Sequence, residues 1–376
     1  MFTHVNITKI DDVLPHIKDA KEFRVFDKGP YIAVDYVYAS PDTFKTQWRR
    51  ECRGIKFDRD GRIIARPLHK FFNVGEKVPA SEIDLSRQHS VIHKMDGSMV
   101  HPYFDEELGR WVLMTRKGIT DVSTQATERT IDKNYEKYEA FFNEMKRQGV
   151  TPIFEYISPK NKIVIEYPFS DLVLIAARTL NHGVYFSRLG IENLARQYDL
   201  SPVEAESTTR IRDIDKFEKY VKEQKGIEGY IIQFLSGEMW KIKTEEYLSK
   251  HGLIDVTKSP TKLARIILSN GIDDLYSLLS LEDKEKIESL AVWINNEINY
   301  YVNKVMLLVN QTADLSQKEF AVEHAMSFNP PQFRSVLFKV RSGNDPLTSV
   351  RDCLFKYPQL LAYRSKQVPQ LLEGLE

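Results

Sequence analysis

The sequence predicts an α+β body of antiparallel sheets with flanking helices, followed by an all-helical C-terminal domain. Two observations carry this. Between residues 31 and 243, short runs rich in β-branched and aromatic residues alternate with amphipathic segments. Beyond about residue 250 no strand pattern recurs, and apolar residues return at helical spacing. The boundary falls near 245–255, giving domains over residues 1–250 and 251–376.

Residues 1–30 read as a helical or irregular lead-in that ends near Gly29-Pro30. The run 31–38 is a strand, and a basic loop or short helix follows. Strands at 54–57 and 62–66 flank the turn Asp58-Arg59-Asp60-Gly61, and 70–75 closes this block. The stretch 91–100 reads as a hairpin, because Asp96-Gly97 separates two apolar runs. Its first strand ends on Lys94. Residues 110–115 form a strand ending in Arg116-Lys117-Gly118. One long helix is predicted over 123–147 with Ser123 as its N-cap, and Tyr138, Phe141, Phe142 and Met145 on its core face. Strands follow at 152–157, 162–167 and 171–177, and helices near 188–198 and 213–224. A hairpin joins 229–234 to 239–243 across Ser236-Gly237. In the tail, Ser259-Pro260 starts a helix and 281–310 forms a long one.

The 376 residues suffice for a sizeable core, and 42% hydrophobic with 28% charged residues is an ordinary globular profile. No apolar run approaches the ~20 residues that cross a bilayer, so no membrane partner is expected. The polar N-terminus with its early acids does not resemble a secretory signal. Cys52 and Cys353 cannot make a disulfide framework or a zinc site, and suit a reducing cytoplasm. Walker A, His-Glu-x-x-His and Cys-x-x-Cys patterns are missing. Net charge is zero, but the local balance is not. Lys45 to Lys70 holds nine Lys/Arg against three acids, and Arg334 to Lys366 holds seven against two. A phosphate backbone would be expected at such stretches.

Charges inside apolar strands are costly unless paired or bound to a ligand. Arg53, Lys70, Glu155, Glu228, Lys241 and Lys243 all occupy or border such strands, and Lys241 and Lys243 share one face. Lys94 stands at a strand end beside a glycine, a place where a ligand can approach the backbone. Five cations and two carboxylates on one cleft suit a triphosphate with a divalent metal. The field of the other cations would favour an uncharged, nucleophilic Lys94.

The order Lys94-Met95-Asp96-Gly97, Phe154-Glu155-Tyr156, Glu228-Gly229-Tyr230-Ile231 and Trp240-Lys241-Ile242-Lys243 resembles the motifs of the covalent nucleotidyltransferases. That superfamily comprises ATP-dependent DNA ligases, RNA ligases and mRNA-capping enzymes. The closer resemblance is to the bacteriophage RNA ligase 1 family. It rests on Tyr36-Val37-Tyr38-Ala39-Ser40, Glu51-Cys52-Arg53-Gly54-Ile55, the stretch from Ala65 to Asn73, and the stretch from Ser158 to Val164.

The resemblance implies a nucleotidyltransferase domain, ATP-grasp-like, that uses ATP and magnesium, with manganese as a substitute. It implies that Lys94 becomes lysyl-AMP, with Glu155, Glu228 and Tyr247 catalytic. Tyr36, Arg53, Lys70, Glu155, Lys241 and Lys243 match ATP-contacting positions, and Gly97 and Lys117 match others linked to activity. Asp273 aligns with a metal-contacting aspartate of the helical domain. The implied substrate is RNA with a 5′-phosphate and a 3′-hydroxyl, in particular tRNA broken in its anticodon loop. A monomer working in a bacterial host's cytoplasm is implied as well. The motif departs from the pattern only mildly, with Met95 at its variable position. His69, His93 and Cys52 are read as structural. A nucleotidyltransferase with another acceptor, or an inactive RNA-binding relative, would carry many of the same residues.

Overall fold

The computed structural model describes residues 3–39, 42–206, 211–250, 259–276 and 281–362. The chain divides into two compact units. Met1–Tyr36 with Asp42–His251 form the first, and Val37–Pro41 with Gly252–Glu376 form the second.

The first unit opens with β1 (Phe23–Asp27), β2 (Ile32–Tyr36), β3 (Ile55–Phe57) and β4 (Ile63–Ala65), an antiparallel sheet in chain order. The chain continues through β5 (Phe72–Asn73), β6 (His89–Lys94), β7 (Ser98–Asp105), β8 (Arg110–Thr115), β9 (Val150–Ile157) and β10 (Asp171–Thr179). Then come β11 (Ser201–Pro202), β12 (Ala205–Glu206), β13 (Gly229–Phe234) and β14 (Met239–Lys243). These ten build two further sheets, ordered β11-β10-β9-β7-β8 and β12-β6-β13-β14-β5.

Strand alternation explains how the two sheets meet. Ile153, Ile157 and Val173 of one sheet share a core with Ile92, Ile231 and Met239 of the other. The intervening residues Phe154, Tyr156, Leu172 and Leu174 pack instead with Tyr138, Phe141 and Phe142 of helix Tyr135–Arg147 and Ile191 of helix Arg188–Gln197. The sheet β11-β10-β9-β7-β8 is thus a layer between a second sheet and helices.

Three expectations are corrected. The stretch around Asp96-Gly97 is no hairpin. β6 pairs with β13 from Lys94↔Gly229 to His89↔Phe234, while β7 pairs with β8 and β9. The turn carries the chain from one sheet to the other. Residues 162–167 form no strand, because the amides of Val164 and Ile165 donate to Asp96 Oδ2 at 2.8 and 2.6 Å rather than to a ladder. The predicted long helix is two, Asp121–Arg129 and Tyr135–Arg147, broken by a 3-10 turn at Ile131–Asn134. Its N-cap is Thr120, with Ser123 answering from the third helical position in a capping box. The lead-in also contains β1, which pairs with β2 across Lys28-Gly29-Pro30.

The described part of the second unit is helical, and no strand occurs among its described residues. Ser259 caps helix Pro260–Leu268, as its Ser-Pro start predicts. Helix Leu281–Gln311 forms the unit's long element, and helices Arg334–Arg341 and Pro346–Lys356 follow. Asn270 Nδ2 donates to Val37 O at 2.9 Å, and Arg351 lies over the Tyr38 ring, which ties the loop after β2 to this unit. No helix among the described residues is long and apolar enough to cross a membrane. Both cysteines are buried and free.

Candidate active site

The alternation that builds the inter-sheet core also assembles the charges. Lys94 is two residues beyond Ile92 on β6, Glu155 lies between Ile153 and Ile157 on β9, and Lys241 and Lys243 follow Met239 at even spacing on β14. Each therefore shares a strand face with a core residue. The cleft is the point where that shared core runs out into charge.

Glu228, just before β13, is its hub. Its Oε1 lies 2.8 Å from Lys94 Nζ and 2.9 Å from Lys243 Nζ, and the carboxylate is 3% exposed. Burial would raise the Glu228 pKa, but the two lysines outweigh burial and lower it. The expected cationic field around Lys94 thus holds a carboxylate at its centre. Glu155 behaves oppositely: burial pushes it up to about 8, with Lys94 and Arg53 opposing and Glu228 adding to the rise. Two carboxylates close together in a cleft cannot both ionise cheaply without a cation.

Asp96 fixes the turn beside the nucleophile. Its Oδ2 takes the two loop amides described above, and its Oδ1 accepts from Tyr247 Oη at 2.8 Å. The Lys243 ammonium sits 4.8 Å from the Tyr247 ring centroid, so this tyrosine touches both the turn and the lysine pair. Gly97 is required sterically, since a Cβ there would lie 2.3 Å from Tyr156 O of β9.

Arg53 Nη1 lies 3.7 Å from Met99 Sδ, and Met99 stands opposite Glu155 in the β7–β9 register. Tyr36 packs edge-on against Phe44, with ring centroids 4.9 Å apart, and Lys70 Nζ lies 5.4 Å from the same Phe44 ring. Burial would raise the Tyr36 pKa, but Arg116, Lys70 and Arg53 outweigh it and lower it. Arg53 therefore acts on both Glu155 and Tyr36, and joins the two clusters. Lys241 is buried and pairs in register with Ile231 and Asn73. Lys117 is exposed on its turn, and among the described residues no hydrogen bond or ion pair holds its side chain. Asp273 belongs to the second unit, on helix Ile272–Tyr276.

Three features escape a motif reading. Arg116 stacks on Tyr36 at 4.3 Å and lies 3.3 Å from Asp35. Lys56, fully buried, donates to Gly54 O, Thr115 O and Arg116 O at 2.9 to 3.4 Å and so braces the turn that carries Arg116. Glu51, also buried, receives Arg178 in a fork at 3.0 Å and Arg66 at 3.1 Å. Gly183 lies against this pair with φ +66°, and a Cβ there would reach Arg66 Cζ at 2.5 Å. His69 is bound by Tyr185 Oη at 2.8 Å, which gives it a structural role. The Glu51 and Arg66 motif positions thus build the scaffold that carries Arg53 and Lys70. The charged pattern of 51–70 was a visible signal, but its pairing was not.

Among the described residues, no three His, Cys, Asp or Glu side chains form a metal-binding group. Two carboxylates with a raised Glu155 fit the manner in which magnesium is held, through one or two carboxylates plus substrate phosphates.

These elements define an α+β protein whose cleft centres on a lysine, paired carboxylates and further cations. Residues 51–248 match the family model described as RNA ligase, and the chain belongs to that family. It is 29% identical over 280 residues to a provisionally named RNA ligase of Thermovibrio ammonificans, covering 72% of each chain. It is 26% identical over 246 residues to RNA ligase 1 of Bacteriophage TS2126, covering 62% of this chain and 60% of the other. Among solved structures, an archaeal ATP-dependent RNA ligase aligns at a TM-score of 0.48 and 14% identity, covering 74% of this chain and 75% of its own.

Proposed function

We propose that the protein is an ATP-dependent RNA ligase that works through Lys94. The Lys94–Glu228–Lys243 cluster carries this reading, because it offers one amine at a cleft edge with a second cation ready to share its carboxylate. Lys94 Nζ attacks the α-phosphorus of ATP, a P–N bond forms, and pyrophosphate leaves. For this Lys94 must release Glu228 and a proton, and Lys243 keeps the buried carboxylate neutralised meanwhile. The AMP then passes to an RNA 5′-phosphate, which breaks the P–N bond and makes a phosphoanhydride. A 3′-hydroxyl attacks the adenylated end, AMP departs, and a phosphodiester remains. Positioning and charge neutralisation suffice for such steps without a strong base.

Within this reading Lys241 and Lys243 serve the α-phosphate, and Tyr36, Arg53 and Lys70 serve the nucleotide or the RNA phosphate. Tyr247 holds Asp96 and with it the Lys94 turn. Glu155 and Glu228 would hold magnesium or manganese, which when bound neutralises phosphate charge. Lys117 and Asp273 join the assignment by family position. Repair of tRNA broken in its anticodon loop is the proposed role, with the second unit supplying substrate preference.

The test is incubation with α-labelled ATP and magnesium, then a chase with 5′-phosphorylated RNA, comparing wild type with Lys94→Ala. Label should attach to wild type alone and pass to RNA. Label that forms but never leaves would indicate another acceptor, and no label would refute the mechanism.

A further inference from the structure

Lys56 on β3 carries an ammonium group that is fully buried. Its Nζ donates to Gly54 O at 2.9 Å, Thr115 O at 3.1 Å, Arg116 O at 3.4 Å and His101 Nε2 at 2.9 Å. His101 Nδ1 faces Pro102 O at 3.1 Å, so the ring proton sits on Nδ1 and Nε2 accepts. Thr115 and Arg116 belong to a closed turn: Thr115 N donates to Gly118 O at 2.9 Å and Gly118 N to Thr115 O at 3.0 Å. The lysine therefore fastens the residue after Arg53 to the turn that carries Arg116 and Lys117. An apolar side chain of similar length would pack β3 without the cost of burying a charge. The ammonium has a rationale if the turn that it grips must be held in one place.

That turn is held against Tyr36. The Arg116 guanidinium lies 4.3 Å from the Tyr36 ring centroid, and its Nη1 is 3.3 Å from Asp35 Oδ1. Among the cations acting on Tyr36, Arg116 acts most strongly, ahead of Lys70 and Arg53. Burial falls off along this chain of contacts, from a fully buried Lys56 to an Arg116 side chain that is 22% exposed. We infer that Lys56 is a positioning residue for nucleotide binding, acting through the Arg116 turn on Tyr36. This rests on the ligase reading above, with Tyr36 meeting the nucleotide. Burial lowers the Lys56 pKa to about 7, with Asp35 opposing and Arg116 and Lys28 adding to the fall. Burial and the Lys56 charge keep the facing His101 neutral. Asp35 on β2, Lys28 beyond β1, His101 on β7 and Arg116 after β8 are thus the charged or titratable groups that face this lysine among the described residues. The grip is strongest below about pH 7, where the amine is protonated, and weakens above it.

The test measures KM and kcat for label transfer from ATP to the protein, from about pH 6 to about pH 8.5. It compares wild type with Lys56→Met, Arg116→Gln, Arg116→Lys and the double variant Lys56→Met with Arg116→Gln. At the acid end, KM for ATP should rise about five- to tenfold in Lys56→Met and in Arg116→Gln, with kcat held within about twofold. The double variant should be no worse than the poorer single one, because the lysine acts through the arginine. Independent packing defects would multiply instead, and that outcome overturns the inference. Arg116→Lys should recover KM only in part, since it keeps the charge without the plane that stacks on the tyrosine. As pH rises past about 7, KM of Lys56→Met relative to wild type should fall towards one, because wild type loses the same charge. A ratio constant with pH would overturn the inference. Should Lys56→Met not fold, Arg116→Gln decides alone: its KM relative to wild type must be raised and must fall with pH in the same way. A wild type that takes no label would sink the ligase reading, whereas a labelled wild type beside unaffected variants removes this inference only.

Discussion

Glu228 and Glu155 lie in one cleft, yet burial leads to opposite protonation. Glu228 is ionised by two ammonium groups within 3 Å, while Glu155 is kept up to about 8. Unfolded, Glu155 would titrate near 4.5, so the folded state holds the extra proton between those values and loses stability as pH rises from 4.5 to 8. Glu155→Gln should therefore be more stable than wild type at pH 9, by on the order of a few kcal/mol and with a correspondingly higher melting temperature, and match it below pH 4. Equal melting shifts at both pH values would show that Glu155 does not hold this proton. The same variant should lose label transfer, since the stabilised amide cannot help hold a metal.

At the scale of elements, the buried Glu51–Arg66–Arg178 set fastens the helix Gln47–Glu51, the segment after β4 and β10 to one another. Burial would raise the Glu51 pKa, but Arg178 and Arg66 outweigh it and hold it down to about 2. The stabilisation is complete above about pH 4.5 and is lost as pH falls towards 2. Glu51→Ala leaves two buried guanidinium groups unpaired and should lower stability by about 3–5 kcal/mol, read by denaturant unfolding at pH 7. A loss under 1 kcal/mol would mean that solvent or backbone oxygens compensate them. The cleft charges were legible as charged residues in an apolar context, whereas this buried set was not. The shared face of Lys241 and Lys243 on 239–243 followed from alternation alone. What was hidden was pairing: a strand ending in Asp-Gly announces a turn, but not which sheet lies beyond it. The run 162–167 has strand-like residues, yet a carboxylate from Asp96 claims its amides, and no local pattern reveals a partner 68 residues away. Thr130, whose hydroxyl donates to Ala126 O at 2.5 Å, stands where the predicted helix breaks.

For the whole molecule, the change of character near residue 250 was the most legible feature, because a lack of strand pattern accumulates over more than a hundred residues. The basic stretch from Arg334 is less available than its composition suggests. Arg351 is buried and donates to Leu268 O and Asn270 Oδ1, and Arg341 donates to Thr312 O at 2.6 Å and to Leu315 O. Both arginines cap backbone carbonyls, whereas Lys339 and Lys356 are exposed, and Lys366 lies outside the described residues. If the second unit contacts tRNA through this face, Lys339→Glu with Lys356→Glu should slow tRNA sealing several-fold while a short linear RNA is sealed as before. Equal rates on both substrates would remove this face from recognition.

The two thiols are distributed one to each unit, and burial raises the pKa of both, Cys353 to about 11. Thiolate is the reactive form, so the native chain should be nearly silent towards maleimide dyes. Cysteines introduced at two exposed positions, Glu107 on the turn after β7 and Lys318 on helix Gln317–Glu319, would then carry a donor and an acceptor fluorophore without any background to engineer away. Energy transfer between them would follow the separation of the two units in real time as ATP and RNA are added.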